Sequence, residues 1–298
     1  MKKLQLQVLI LASVLGLNAQ IKTDSLKRFR LSGIIVEMHG ISNRETSNNN
    51  QADFQKHVQN NELLDKDLTA YSTYSGYNLN FEGMFSARAF FECQKAKRHN
   101  PEVFIGLRYG NAVLAGASYF KLETKTVATY INPVNKDSLQ EVDLYNTSYR
   151  YQINSKSLFI PLGINIATNK TNRLWFSAGV EISPGITFNN TFSAYYLLTK
   201  NKAIYEPNTS TPFSANAQGA TEILDSKYSN TQLKGVGFEG YLALPLSANL
   251  RVSKKIKFLK QLNLNGALAP GFFVSKNKFA STQTNFIANA SLGIRYNW

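Results

Sequence analysis

The last thirteen residues of the chain alternate between apolar and mostly polar positions. The apolar face carries Phe286, Ala288, Ala290, Leu292, Ile294, Tyr296 and Trp298. In a chain with 43% hydrophobic residues, seven such matches in succession arise by chance at a frequency of roughly 0.003. Because successive side chains of a β-strand point to opposite faces, this segment predicts a strand with one apolar face.

The same period of two recurs in seven stretches upstream. They cover residues 34–38, 77–91, 103–109, 158–166, 174–188, 236–252 and 262–274. Several are as long as the ~9–11 residues that a tilted strand needs to cross a membrane, whereas strands of a soluble β-sandwich, the alternative fold, average ~5–6 residues. The pattern predicts an all-β chain of about eight antiparallel strands, or ten if a long connection contains another hairpin.

The connections between these strands alternate in length. Short links occur near Cys93, at 168–172 and between 252 and 262, whereas long polar stretches cover about 41–73, 129–148, 198–230 and 276–282. Transmembrane up-and-down β-barrels have short periplasmic turns and longer extracellular loops. Residues 31–298 are therefore predicted to form such a barrel, with both termini in the periplasm and residues 20–30 as a short periplasmic segment.

The first nineteen residues have the layout of a secretory signal peptide. Lys2 and Lys3 precede a mostly apolar stretch, and a small residue, Ala19, stands at the expected cleavage point. The alternative is a buried N-terminal helix. Cleavage after residue 19 lowers the net charge from +14 to +12, because two lysines and no acidic residue are removed. Export followed by barrel formation predicts a location in the bacterial outer membrane.

Charged residues within the predicted strands lie on the polar faces, which would line the lumen. The predicted lumen charges are Glu82, Arg88, Glu102, Arg108, Glu181, Glu239, Arg251 and Arg295. An eight-stranded barrel is only wide enough to hold its own side chains. Four acids and four arginines therefore predict an ion-paired plug, with a polar conduit or small-ligand site as the alternative.

A second group of charges collects at the predicted periplasmic end. It consists of Lys22, Lys27, Arg28, Arg30, Lys95, Lys97, Arg98, Lys170, Arg173, Lys254, Lys255, Lys257 and Lys260. Such a collar suits lipid head groups, or else an acidic envelope partner or cell-wall polymer. Binding of nucleic acid is not expected, because the charges occur at turns of an exported chain.

The sequence offers little for catalysis or metal binding. His39, His57 and His99 are scattered, and the single cysteine, Cys93, excludes an intrachain disulfide. His39 is the only histidine inside a predicted strand, and Glu37 beside it does not complete a triad. We therefore expect no enzyme activity, no catalytic or metal site and no cofactor.

Two features of the sequence resemble known outer-membrane proteins. The last predicted strand finishes with the alternating residues Ile294, Tyr296 and Trp298. This resembles outer-membrane barrels whose last strand ends in an aromatic residue that the insertion machinery recognises. The stretches 157–164 (SLFIPLGI) and 176–180 (FSAGV) resemble the PorT-like outer-membrane β-barrel family of Bacteroidota. That resemblance covers about residues 70–298. The resemblance implies a barrel fold. Because one member of the family is linked to protein secretion across the outer membrane, it also implies a location in the cell envelope.

These features together predict an integral outer-membrane protein with a structural or interaction role. It would serve as an anchor, an adhesion surface or an accessory part of a secretion complex. Its expected partners are outer-membrane lipid, the insertion machinery during biogenesis and an envelope protein. The alternative function is a narrow passive channel for small polar solutes.

Overall fold

The computed structural model describes residues 29–42, 47–48, 50–73, 82–93, 100–131, 138–205, 221–256 and 258–298. The predicted signal peptide, 1–19, lies outside these residues, as does most of the segment 20–30. Within them, no helix is long and apolar enough to cross a membrane. A single short helix, α1 (Gln51–Gln55), is present in the described part.

Thirteen strands account for almost all of the described structure. They are β1 (Phe29–Ser42), β2 (Ser47–Asn48), β3 (Ser72–Thr73), β4 (Glu82–Cys93), β5 (Asn100–Ile131), β6 (Ser138–Phe159), β7 (Leu162–Ala167), β8 (Leu174–Tyr205), β9 (Glu222–Leu233), β10 (Gly237–Ala243), β11 (Leu246–Arg251), β12 (Leu262–Asn277) and β13 (Ala280–Asn297).

These strands close into a ring of eight, which confirms the predicted antiparallel barrel. Two of the eight positions in the ring are each occupied by consecutive segments of one interrupted strand. One consists of β6 and β7, which both pair with β5 and β8. The other consists of β9, β10 and β11, which all pair with β8. The ring closes where β1 pairs with β13, from Gly33 opposite Asn297 to Ser42 opposite Ala288. The start of β1 and the end of β13 therefore lie at the same end of the barrel as the short turns.

Prolines explain why the strands at these two positions are interrupted. Pro161 lies between β6 and β7 and Pro245 between β10 and β11, and proline has no N–H to donate to a neighbouring strand. Their carbonyl oxygens still accept: Gly106 N donates to Pro161 O at 2.9 Å, and Gly179 N to Pro245 O at 3.0 Å. The wall thus stays continuous through both positions.

The outer face of the barrel is apolar around the ring. Leu292 is 74% exposed, Phe238 67% and Phe286 64%. Exposed contiguous apolar surface of this extent is incompatible with water and requires lipid contact. We call this surface the apolar belt; within the described residues it includes outward rows of all eight strands, among them Val36 and Met38 of β1. Tyr77, Leu79 and Phe81 of the second predicted row lie outside the described residues.

Four strands continue beyond the apolar belt as a projecting sheet, in the order β9–β8–β6–β5. Its strands occupy much of two regions expected to be loops, 129–148 and 198–230. The expected long loop 276–282 is instead a tight turn, with Asn277 opposite Ala280. The remaining expected loop, 41–73, contains β2, α1 and β3, and the short strands β2 and β3 pair with β5.

Candidate functional site: the barrel interior and its cap

The middle of the lumen holds a chain of buried ion pairs drawn from four strands. Arg88 on β4 forms an ion pair with Glu37 on β1 and reaches Glu181 on β8, with 3.1 Å between its NH1 and Oε2. Arg108 on β5 contacts the other oxygen of Glu181 at 2.7 Å. All four residues are at most 6% exposed. Each charge has an opposite charge as partner, as burial demands.

His39 and Ser86 extend this chain without forming a catalytic arrangement. His39 Nε2 lies 2.6 Å from Ser86 Oγ, and that hydroxyl also donates to Glu37 Oε2 at 3.3 Å. Glu37 Oε2 is 3.6 Å from the same ring nitrogen, Nε2. A Ser–His–acid triad requires the acid on the other nitrogen. The three groups therefore serve as buried polar partners to one another.

A second network fills the lumen at the short-turn end. Glu102 accepts from Lys170 Nζ and from Arg295 NH2, each at 2.5 Å, and from Ser32 Oγ at 2.7 Å. Lys170 also pairs with Glu92. This network combines strand residues with a lysine that enters from the turn between β7 and β8.

Aromatic rings pack against the arginine of this second network. The Arg295 guanidinium carbon lies 4.1 Å from the ring centre of Phe90 and 4.9 Å from that of Trp175. Trp175 is fully buried, and its indole N–H donates to Asn263 at 3.2 Å. Cation–π contacts of this kind gain strength where water is excluded. Charged and aromatic side chains are thus packed together in the lumen at this end.

The structure brings six of the eight predicted lumen charges into the interior. Those six are Arg88, Glu102, Arg108, Glu181, Glu239 and Arg295. Glu239 accepts from Ser157 at 3.0 Å and from Ser275 at 3.4 Å. Arg251 instead donates to the Thr171 carbonyl at 3.0 Å, and so ties β11 to the neighbouring turn. The eighth, Glu82, lies in β4, and its side chain is outside the described part of the structure.

Two important members of the networks were absent from the predicted set. Glu37 occupies the inward position between Val36 and Met38, so the alternation of β1 contained the signal for it. Lys170 had been counted in the basic collar, because nothing in a period-two pattern predicts that a turn lysine enters the lumen. Of the other collar residues, Arg30, Arg173, Lys254, Lys255 and Lys260 are exposed at the short-turn end.

Apolar side chains form the next layer of the lumen, farther from the short turns. Met84, Phe159, Tyr241, Phe273 and Ile287 pack together there, each at most 4% exposed. The rings of Phe159 and Tyr241 have centres 4.8 Å apart, as do those of Tyr241 and Phe273. Such spacings are typical of packed rings, so these side chains form a small apolar core inside the barrel.

Inward-facing glycines make room for these rings. A Cβ built on Gly163 would lie 2.4 Å from Phe104 Cζ, and one on Gly185 would lie 2.2 Å from Phe159 Cδ1. Both distances are shorter than real Cβ atoms show, so only glycine lets each ring lie over the position directly opposite it on the neighbouring strand. The sequence uses its glycines to fill the interior with aromatic groups from neighbouring strands.

The mouth of the barrel is covered by residues 50–73, which we call the cap. Asn50 and Asp53 begin α1 with a reciprocal capping box. Phe54 then inserts between Tyr151 and Phe192, with ring centres 5.8 Å away in both cases. The cap also contributes further buried side chains to the same core, namely Val58, Leu63, Leu64 and Leu68.

Hydrogen bonds fix the cap to three strands of the projecting sheet. Tyr151 on β6 donates its hydroxyl to the Leu63 carbonyl at 2.6 Å, and the Gln51 N–H donates to Tyr119 Oη on β5 at 2.7 Å. Asn61 Nδ2 reaches Ser229 Oγ on β9 at 3.0 Å. Apolar burial and these bonds seat the cap against the inner face of the sheet.

Tyrosines line the projecting sheet beside the cap. Tyr149 packs against Tyr71 and Tyr196, with ring centres 5.6 and 4.9 Å away. Burial raises the pKa of Tyr149 to about 12, with the neighbouring tyrosines adding to the effect. Burial likewise raises the pKa of Tyr151. Both phenols therefore stay neutral at physiological pH, as hydrogen-bond donors in an apolar setting.

Comparison with known proteins adds little beyond the chain's own geometry. No family model and no curated protein sequence matches it. Among solved structures, the translocator domain of the autotransporter NalP from Neisseria meningitidis aligns at 8% identity and a TM-score of 0.15, covering 98% of this chain and 97% of that one. An anion-selective porin from Comamonas acidovorans aligns at 9% identity and a TM-score of 0.15, covering 91% and 99%. The barrel assignment rests on the ring of strands and the apolar belt.

Proposed function

We propose that this chain is a closed outer-membrane β-barrel that anchors an extracellular interaction surface. The observation that carries the proposal is the filled interior: two ion-pair networks, an aromatic layer and the cap succeed one another along the axis. A barrel with this content is suited to holding something in place rather than to passing solutes. The projecting sheet is then the surface that it presents.

The predicted signal peptide and the aromatic residues of β13 support the outer membrane as the location. Export followed by recognition of Ile294, Tyr296 and Trp298 would deliver the barrel there, with short turns and termini in the periplasm. Ile294 and Trp298 are 55% and 41% exposed on the outer face at the short-turn end. The resemblance to PorT-like barrels favours an accessory role in an envelope complex.

Conductance of the refolded protein in a planar bilayer tests the closed interior. Folding is verified separately by the shift in gel mobility between unheated and boiled samples. A silent membrane is the expected result, since buried ion pairs, packed rings and the cap fill the interior. Steady, reproducible open steps from folded protein would contradict the proposal and favour a narrow passive channel.

The orientation has its own test. Ser226, exposed on β9, is replaced by cysteine in a Cys93→Ser background. A membrane-impermeant thiol reagent should label this cysteine in intact cells. Labelling only after the outer membrane is permeabilised would show that the projecting sheet faces the periplasm.

A further inference from the structure

Strand β9 forms an open edge of the projecting sheet. Within the described residues it pairs with β8 alone, from Asn190 opposite Leu233 to Lys200 opposite Glu222. Residues 222–228 are exposed. The backbone N–H and C=O groups along the other side of such an edge are satisfied by an added β-strand. The chemistry of this edge therefore selects an extended polypeptide segment as its partner.

The side chains of β9 are complementary to a second copy of β9. Asp225 and Lys227 are exposed two positions apart on the same face, and neither has an ion-pair partner among the described residues. If two β9 strands pair antiparallel with Ser226 opposite Ser226, each Asp225 faces the Lys227 of the other strand. Leu224 and Tyr228, 42% and 65% exposed, then face each other as well. Placing residue 225 or 227 on the axis would oppose like charges, so the sequence favours one register.

The direction of β9 decides where the second copy can be. β9 runs toward the barrel and continues through 234–236 into β10, whose Phe238 and Leu242 belong to the apolar belt. Two copies in one membrane have β9 strands that run the same way relative to that membrane. An antiparallel pair instead places the two apolar belts at opposite ends of the joined sheet. Antiparallel pairing through β9 therefore joins barrels in two facing membranes.

We propose that β9 mediates homotypic contact between facing outer membranes through a two-fold, antiparallel β9–β9 pair. The joined sheet would run continuously from β5 of one copy to β5 of the other. Two Asp225–Lys227 ion pairs and two Leu224–Tyr228 contacts flank Ser226 on the axis. This inference rests on the proposed function, which places the projecting sheet outside the cell.

Charge variants in separate vesicle populations test the contact. Asp225→Lys places lysine at both 225 and 227, and Lys227→Asp places aspartate at both, so each variant repels itself. A mixture of the two restores opposite charges at all facing positions. Phosphatidylcholine vesicles carry the proteins, because this zwitterionic lipid does not attract a chain of net charge +14 as an anionic surface would.

Wild-type vesicles should cluster, as measured by light scattering. Vesicles with either variant alone should need a protein density at least roughly tenfold higher to cluster, and mixing the two populations should restore clustering. Equal clustering of all preparations would overturn the proposal, since contact would then occur elsewhere. It would also be overturned if outward-facing wild type did not cluster, or if the mixture stayed dispersed.

Disulfide formation tests the register independently. In a Cys93→Ser background, Ser226→Cys places the two thiols across the two-fold axis, within the 4.4–6.8 Å Cα separation that a disulfide spans. Clustered vesicles should yield a crosslinked dimer on mild oxidation. Asn230→Cys, exposed on the same strand but opposite Glu222, is the matched control and should not crosslink. Equal crosslinking at both positions would exclude this register.

The two proposals fail in distinguishable ways. Labelling of Ser226→Cys from inside only would remove the extracellular surface and with it this contact. Conductance through the barrel would contradict the closed interior and leave the clustering result unaffected. Outward labelling and a silent bilayer, combined with dispersed vesicles, would overturn the homotypic contact alone.

Discussion

Strand β8 passes through two regions that follow opposite rules. In the apolar belt, Val180 and Ile182 face outward at 49% and 54% exposure, whereas Glu181 between them is buried in the lumen. Farther along the same strand, Phe192 is fully buried on the inner side, and Ser193 faces outward. Lipid surrounds the first region and water the second. What lies outside each region therefore determines which face carries the apolar residues.

The boundary between the two regions coincides with irregularities in the strands. The β5–β6 register shifts between Val113 and Ala115, and the β6–β8 register shifts between Asn154 and Lys156. Asn189 on β8, at this level, has a positive φ of 53°. An extra residue in one strand reverses which alternate positions point inward. The bulges thus keep large side chains inside while the environment outside changes.

The largest expected effect comes from breaking the lumen network. Arg88→Ala would leave Glu37 and Glu181 buried without their shared partner, which should lower the free energy of unfolding by about 3–5 kcal/mol. Urea titration of the folded gel form in detergent measures the change. Lys202→Ala removes an exposed pair with Glu141, is worth at most about 1 kcal/mol, and serves as the control. Equal losses for both variants would contradict a filled, charge-paired lumen.

A loss of stability of similar size, but confined to the cap, is expected when the cap core is disrupted. Phe54→Ala removes a ring that is 1% exposed, at a cost of about 3–5 kcal/mol. Because this core lies outside the belt, hydrogen exchange should accelerate in residues 50–73 and remain slow in β12 and β13. Gln59→Ala, on the exposed side of the cap, should change neither. Faster exchange throughout the barrel would mean that cap and belt unfold together.

Placing an arginine on the outer face compares the two environments directly. Ile182→Arg in the belt should cost about 2–4 kcal/mol in lipid vesicles, because the charge must leave water. Tyr195→Arg, on the outward face of the same strand beyond the belt and 39% exposed, should cost within about 0.5 kcal/mol. Unfolding by urea from the same vesicles gives both values. Equal penalties would place Tyr195 inside the membrane.

The smallest effect is a pH dependence of the cap. Partial burial lowers the pKa of His57, as do Lys278 and Lys56, whereas Asp53 opposes them. A group whose folded pKa lies below its unfolded value binds protons more readily when unfolded. The stability it contributes is therefore present above its unfolded pKa of about 6.5 and falls as the pH drops below it. Hydrogen exchange in the cap, corrected for intrinsic rates, should accelerate modestly toward pH 5, and His57→Phe should abolish this trend.

The fold of the belt could be predicted because lipid demands a strict pattern. Lipid-facing rows tolerate few polar residues, so alternation located all eight strands and, with them, most of the lumen charges. The projecting sheet could not be found in the same way. Its bulges shift the period at Leu114 and Asn189, and water permits polar residues on its outer face. Stretches expected to be loops, such as 198–205, are therefore strand.

The candidate site was predictable to the extent that it follows from alternation. Arg88, Arg108 and Glu181 were identified because their strands are regular. Lys170 escaped because it reaches the lumen from a turn, and Arg251 was assigned inward although it binds turn carbonyls at the end of the strand. The packing of the cap over the barrel could not be predicted from the sequence. Its five-residue helix and scattered leucines form a core only together with residues of β5, β6 and β8.

The pairing of β1 with β13 has a consequence for how this protein is made. Gly33 and Asn297 meet in the finished wall although they lie near opposite ends of the chain. Contacts between such distant segments make folding slow, because the entropy of closing a large loop is lost before the strand-pairing hydrogen bonds can form. The seam cannot form until β13 has been synthesised. Until then β1 has an unpaired edge next to exposed apolar side chains, a combination that favours aggregation.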